Sequence, residues 1–113
     1  NIYVFDIVKE LFEDLNIKDS QGFTPLMWAC YSNLDIEEEK RVEVIKLFLE
    51  NGANINERLD NGMNALALSV LAGTPNVANT LIENGCNIQV ALNSLNSLEG
   101  VSKEALEYLT SRL

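Results

Sequence analysis

The chain has 113 residues, 47% of them hydrophobic and 22% charged, which suits one globular domain or a few stacked units and excludes a disordered or collagen-like chain. Eight Lys and Arg against 17 Asp and Glu give a formal net charge of −9, the wrong sign for neutralising phosphates. That argues against nucleic-acid binding and leaves two readings, a basic protein partner or a charge that only keeps the chain soluble. There is no histidine, which removes Ser-His-Asp and Cys-His triads, histidine proton shuttles and nearly all zinc enzymes.

Taken in chain order, residues 2–15 read as a helix, with Ile2, Val4, Phe5, Val8, Leu11, Phe12 and Leu15 on one broad apolar face. Thr24-Pro25 puts a capping hydroxyl ahead of a proline at the first helical position and starts a helix over 25–32. A longer helix follows over 41–50, stopped at Gly52. Between them lies Leu34-Asp35-Ile36-Glu37-Glu38-Glu39-Lys40, whose acids either begin the second helix early or form a projecting acidic loop. Asn61-Gly62 marks a turn, since both residues tolerate positive φ, and is followed by a helix over 65–72. Thr74-Pro75 starts the next, over 76–83, which stops at Gly85. Two further helices, Val90 to Leu98 and Ser102 to Arg112, join across Glu99-Gly100. No apolar run approaches the ~20 residues of a membrane span and no signal-peptide pattern opens the chain. With no initiator methionine, Asn1 leads straight into an apolar segment, as expected of a piece of a longer protein.

The chain repeats itself. Asn51-Gly52-Ala53-Asn54-Ile55 returns as Asn84-Gly85-Cys86-Asn87-Ile88, and the apolar run before each copy matches as well. Gln21-Gly22-Phe23-Thr24-Pro25-Leu26 returns as Asn61-Gly62-Met63-Asn64-Ala65-Leu66. The interval from Gly22 to Gly62 exceeds that from Gly52 to Gly85 by seven, so the first unit carries an insertion of that length. A further shift by the Gly52-to-Gly85 interval would carry the hairpin glycine Gly62 to position 95, where Leu95 stands, so the pattern decays after Ile88.

Each unit therefore reads as turn, short helix, turn, longer helix, glycine stop. In residues 14–26 and 43–56 this resembles the ankyrin repeat closely. The second unit departs from it, with Asn64-Ala65-Leu66-Ala67 where that family shows Thr-Pro-Leu-His, and Met27 replaces the histidine in the first. Leu59 stands where the family has aspartate, so that turn loses a side-chain hydrogen bond.

The resemblance implies an all-α, ankyrin-type helical solenoid of paired antiparallel helices joined by hairpin-like turns, with helical caps. Its expected units are 1–18 as an N-terminal cap helix or partial repeat, 19–56 as a repeat with an insertion over 33–41, 57–89 as a second repeat, and 90–113 as a degenerate capping repeat. It also implies protein binding on a concave face built from hairpin tips and inner helices. Carried over by position, the tips are Ser20, Gln21 and Phe23, then Asp60, Asn61 and Met63. The inner-helix positions are Trp28, Tyr31 and Ser32, then Leu68, Leu71 and Ala72. Trp28, Tyr31, Phe23 and Met63 would form one aromatic and thioether patch, of the residue types enriched among interface hot spots. Trp28 packing between adjacent inner helices is the competing expectation. Glu37 and Glu38 of the acidic insertion are the other candidate contact.

No enzyme signature survives, and no cofactor or metal is implied. The acids at solvent-facing and turn positions form a wetted face rather than a cleft-spanning pair. Asp19-Ser20-Gln21-Gly22 lacks the alternating acids of a calcium loop, and Asn51-Gly52-Ala53-Asn54 follows a helix instead of opening one and has no lysine. Cys30 and Cys86 stand far apart in the chain, at no CxxC spacing, and read as buried thiols of the cytoplasm or another reducing intracellular compartment, with one disulfide as the lesser alternative. The expected function is non-catalytic protein binding, by a monomer or part of a longer array. The alternatives are a small acidic inhibitor or immunity-type protein that blocks a basic enzyme or toxin, or a regulatory appendage of a larger enzyme.

Overall fold

The computed structural model describes residues 15–31 and 37–113. The helix expected over 2–15, apart from Leu15, and Ser32 with residues 33–36 of the insertion lie outside the described residues. Six helices and no strand are found among the described residues: α1 (Pro25–Tyr31), α2 (Glu38–Glu50), α3 (Ala65–Ala72), α4 (Pro75–Glu83), α5 (Ile88–Asn96) and α6 (Lys103–Ser111).

Local chemistry sets where these helices begin. The Thr24 hydroxyl accepts from the Met27 amide (3.3 Å), the Asn64 carboxamide from Ala67 (3.1 Å), Asn87 from Val90 (3.0 Å) and Ser102 from Ala105 (3.1 Å). Each contact satisfies an amide that the helix itself leaves without a partner. α2 begins at Glu38, three residues before the start expected at 41, because Glu38 and Glu39 suit the positive end of a helix. α3 stops at Gly73, whose φ of +74° is left-handed and cheap only for glycine.

The short helices α1, α3 and α5 stack on one another as an inner layer, and the outer helices α2 and α4 stack behind them. Each inner helix also packs on the outer helix that follows it in the chain, α6 serving α5 in this way. One continuous core runs through the stack: Leu26, Met27 and Cys30 from α1, Ile45 and Phe48 from α2, Leu66 and Leu68 from α3, Val77 and Leu81 from α4, then Leu92, Leu95 and Leu109. Burying each such aliphatic side chain is worth ~1.5–3 kcal/mol against leaving it in water.

Two asparagines clamp successive units together. Asn16 donates from Nδ2 to the Gly52 carbonyl (3.1 Å) and accepts the Asn54 amide at Oδ1 (2.6 Å). Asn56, its counterpart in the next unit, repeats the arrangement with the Gly85 carbonyl (3.5 Å) and the Asn87 amide (2.9 Å). After Gly85 the hairpin is missing altogether: α5 starts at Ile88, directly behind this glycine, whereas α3 does not start until Ala65, well past Gly52. That is why Leu95 stands where a hairpin glycine was expected, and it is a fully buried core residue.

Candidate protein-interaction face

The first hairpin is organised by Asp19. Its Oδ1 accepts the amides of Gln21 (2.9 Å) and Phe23 (3.0 Å), and its backbone pairs with Phe23 and Gly22 to close the turn. Its other carboxylate oxygen accepts the indole N–H of Trp28 at 2.7 Å, the short distance of a charge-assisted bond. Partial desolvation pushes the Asp19 carboxyl up, but the hydrogen bonds from the Trp28 indole and from the amides of Phe23, Gln21 and Gly22 outweigh it. They hold the group below its ordinary 3.8.

Trp28 is therefore not wedged between inner helices. It is 42% exposed, its polar edge tethered to the hairpin and its ring turned against Phe23 with centroids 4.7 Å apart. Tyr31, one turn on and 39% exposed, lies against the same ring at 6.2 Å. Phe23 is half-buried, the common neighbour of the other two. Leu71, which holds in α3 the position Tyr31 holds in α1, is 40% exposed, and Ala72 beside it is exposed as well.

Ser20, Gln21, Asp60 and Asn61 are exposed at the hairpin tips. Asn61 has work within its own turn, where Oδ1 accepts the Met63 amide (3.0 Å). It takes over part of what Asp19 does in the first hairpin, because Leu59 occupies the aspartate position here. Leu59 instead reaches the first hairpin, where its Cδ2 is 3.6 Å from the place a Cβ on Gly22 would occupy.

Met63 does not join the patch. Only 5% exposed, it is part of the core, and so is Leu68. The cause is position in the stack: α3 is covered by α1 on one side and α5 on the other.

Glu37 is exposed just ahead of α2, but Glu38 is half-buried and committed. Its carboxylate accepts the backbone amides of Asn76 (2.8 Å) and Val77 (3.3 Å) and the Asn76 side chain (3.2 Å). It thus caps α4, whose own Thr74 makes no side-chain cap because its hydroxyl donates to the Ser69 carbonyl (3.1 Å). Arg41, which the sequence reading did not single out, is 8% exposed and donates to the Ala29 carbonyl near the end of α1 (2.6 Å). The only hint of either role was a long, acid-led outer helix.

Cys30 and Cys86 are free, buried thiols. Burial pushes Cys86 up to about 11 against hydrogen bonds with the Leu66 and Asn87 backbone, and burial and the neighbouring Cys86 push Cys30 up against Arg41. Among the described residues no three His, Cys, Asp or Glu side chains converge as metal ligands would, and no helix is long and apolar enough to cross a membrane.

A family model described as ankyrin repeats (three copies) matches residues 2–91. The chain belongs to the ankyrin-repeat family. Ankyrin repeats are protein-interaction modules, and the exposed rings of Trp28 and Tyr31 sit on α1, the first inner helix of this stack. The zebrafish (Danio rerio) neurogenic locus notch homolog protein 1 is 33% identical over 85 residues, covering 68% of this ankyrin chain but only 4% of the relative. Among solved structures, one chain of a complex between a predatory endopeptidase from Bdellovibrio bacteriovorus and an immunity protein is similar, with a TM-score of 0.67 at 24% identity. That match covers 96% of this chain and 56% of the other, so the chain spans little more than half its neighbour's length.

Proposed function

We propose that this chain is a non-catalytic protein-binding module that holds a partner on the concave side of its ankyrin stack, through Gln21, Phe23, Trp28, Tyr31, Asp60, Asn61 and Leu71. The observation that carries this reading is the exposure of Trp28 and Tyr31 side by side on α1, braced by Phe23. Large rings held open to solvent on a preordered scaffold lose little entropy on binding and offer the contacts that dominate interfaces. The immobilised chain is to be compared with Tyr31→Ala and with Lys46→Ala on the exposed side of α2. A partner retained by Lys46→Ala and lost at least tenfold by Tyr31→Ala, with unchanged circular dichroism, supports the face. Equal capture by Tyr31→Ala overturns it.

The net charge of −9 favours a second reading, a small acidic inhibitor or immunity-type protein that blocks a basic enzyme or toxin. The solved neighbour contains an immunity protein, but at that identity it supports the fold alone. Long-range attraction acts mainly on the association rate, so a basic target should bind at least tenfold more slowly at high salt, with dissociation little changed. A salt-independent association rate removes this reading and leaves the concave face standing.

A further inference from the structure

The three inner helices α1, α3 and α5 hold no Asp, Glu, Lys or Arg. Trp28 and Tyr31 thus present bare ring surface in a field set by their surroundings, and the hairpin tips beside them carry Asp19 and Asp60. The cations of the neighbouring hairpin residues are engaged or laid down. Lys18 pairs with Glu57 (2.9 Å), and the Arg58 Nη2 lies 3.4 Å from where a Cβ on Gly62 would stand. An indole that donates its N–H to a carboxylate gains electron density on its ring face, which strengthens its attraction for a cation. The same bond also uses up the one polar atom of Trp28, so the ring has only the surface not turned against Phe23 to offer.

We propose that the surface formed by Trp28, Phe23 and Tyr31 receives an arginine side chain of the partner protein, with Asp19 as the positioning residue that orients and polarises the indole. Arginine fits better than lysine because its planar, weakly hydrated guanidinium stacks on a ring face while its edge donors remain free for the acids at the tips. The inference rests on the concave-face reading and adds the chemistry of the contact.

The test selects a phage-displayed library of random heptapeptides on the full chain, with Trp28→Leu and Tyr31→Ala chains as counter-selections. Peptides enriched on the native chain, with and without the counter-selections, are synthesised and titrated by calorimetry against the native, Trp28→Leu and Tyr31→Ala chains. Enrichment of arginine at a fixed place is expected, with its replacement by citrulline, the same shape without the charge, weakening binding at least fivefold. Asp19→Asn keeps an acceptor for the turn amides and should retain native circular dichroism while shrinking the arginine-over-citrulline preference at least twofold. Enriched peptides anchored by apolar residues without arginine overturn the inference and leave the concave face intact. Peptides that bind the Trp28→Leu and Tyr31→Ala chains equally well, or no enrichment at all, overturn both. Full arginine preference in Asp19→Asn removes Asp19 from the account.

Discussion

Asp19 joins turn geometry to surface chemistry. The same carboxylate that gathers the amides of Gln21 and Phe23 also holds the Trp28 ring in place. Its affinity for a proton is therefore lower in the folded hairpin than in the unfolded chain. A carboxyl depressed by folding contributes stability that is complete above its unfolded value of 3.8 and is lost as pH falls through the lower, folded value. Acid titration followed by Trp28 fluorescence should accordingly show an indole transition centred below pH 3.8, and Asp19→Asn should abolish that transition. A transition at or above 3.8, or one that survives in Asp19→Asn, would show that the ring does not depend on this carboxylate.

At the scale of elements, Glu38 is a side chain on one helix that performs the capping duty of another. Its contacts to Asn76 and Val77 are long-range in sequence and fasten the start of α2 to the start of α4. Caps of this kind contribute ~0.5–2 kcal/mol, and a carboxylate also complements the helix dipole. Glu38→Ala should cost about 1–2 kcal/mol in urea unfolding, whereas Glu37→Ala, on an exposed side chain, should change stability by less than ~0.5 kcal/mol. Equal effects of the two would mean that the cap is not used.

The helices themselves were legible, since Thr-Pro starts, glycine stops and apolar spacing are short-range signals. α3 spans the expected residues, and α1, α4 and α6 differ from expectation by a residue or so at each end. α5 begins two residues early because Asn87 caps it directly after the glycine turn. Contacts that exist only after docking were not legible. Asn64 looked like a weak substitute for a motif threonine, yet fully buried it caps α3 with one atom and donates with the other to the Asn87 carbonyl at the head of α5 (2.9 Å). Where the hairpin is absent before α5, that amide adds to the Asn56 clamp on Gly85 and Asn87. Within the candidate face, ring types and helix positions pointed to Trp28 and Tyr31, but whether Met63 faced water depended on how many neighbours covered its repeat.

Across the whole molecule, stability is a matter of adjacency. Each helix pair buries its apolar side only against the next, so a short stack has one core to gain or lose. The two thiols are neighbours in this core but belong to separate elements: Cys30 lies in α1, and Cys86 in the turn between α4 and α5, its Sγ 3.6 Å from the Ile55 carbonyl. Both are almost wholly shielded and both are held protonated by burial, Cys86 up to about 11, so neither reacts appreciably from the native state at neutral pH. Pulsed alkylation along a urea gradient, read peptide by peptide by mass spectrometry, should label Cys30 and Cys86 at the same midpoint. Earlier labelling of Cys86 would mean that the Asn56 and Asn64 clamps are too weak to bind α5 and α6 into the cooperative unit. The chain would then unfold from its C-terminal end while the aromatic face on α1 stayed intact.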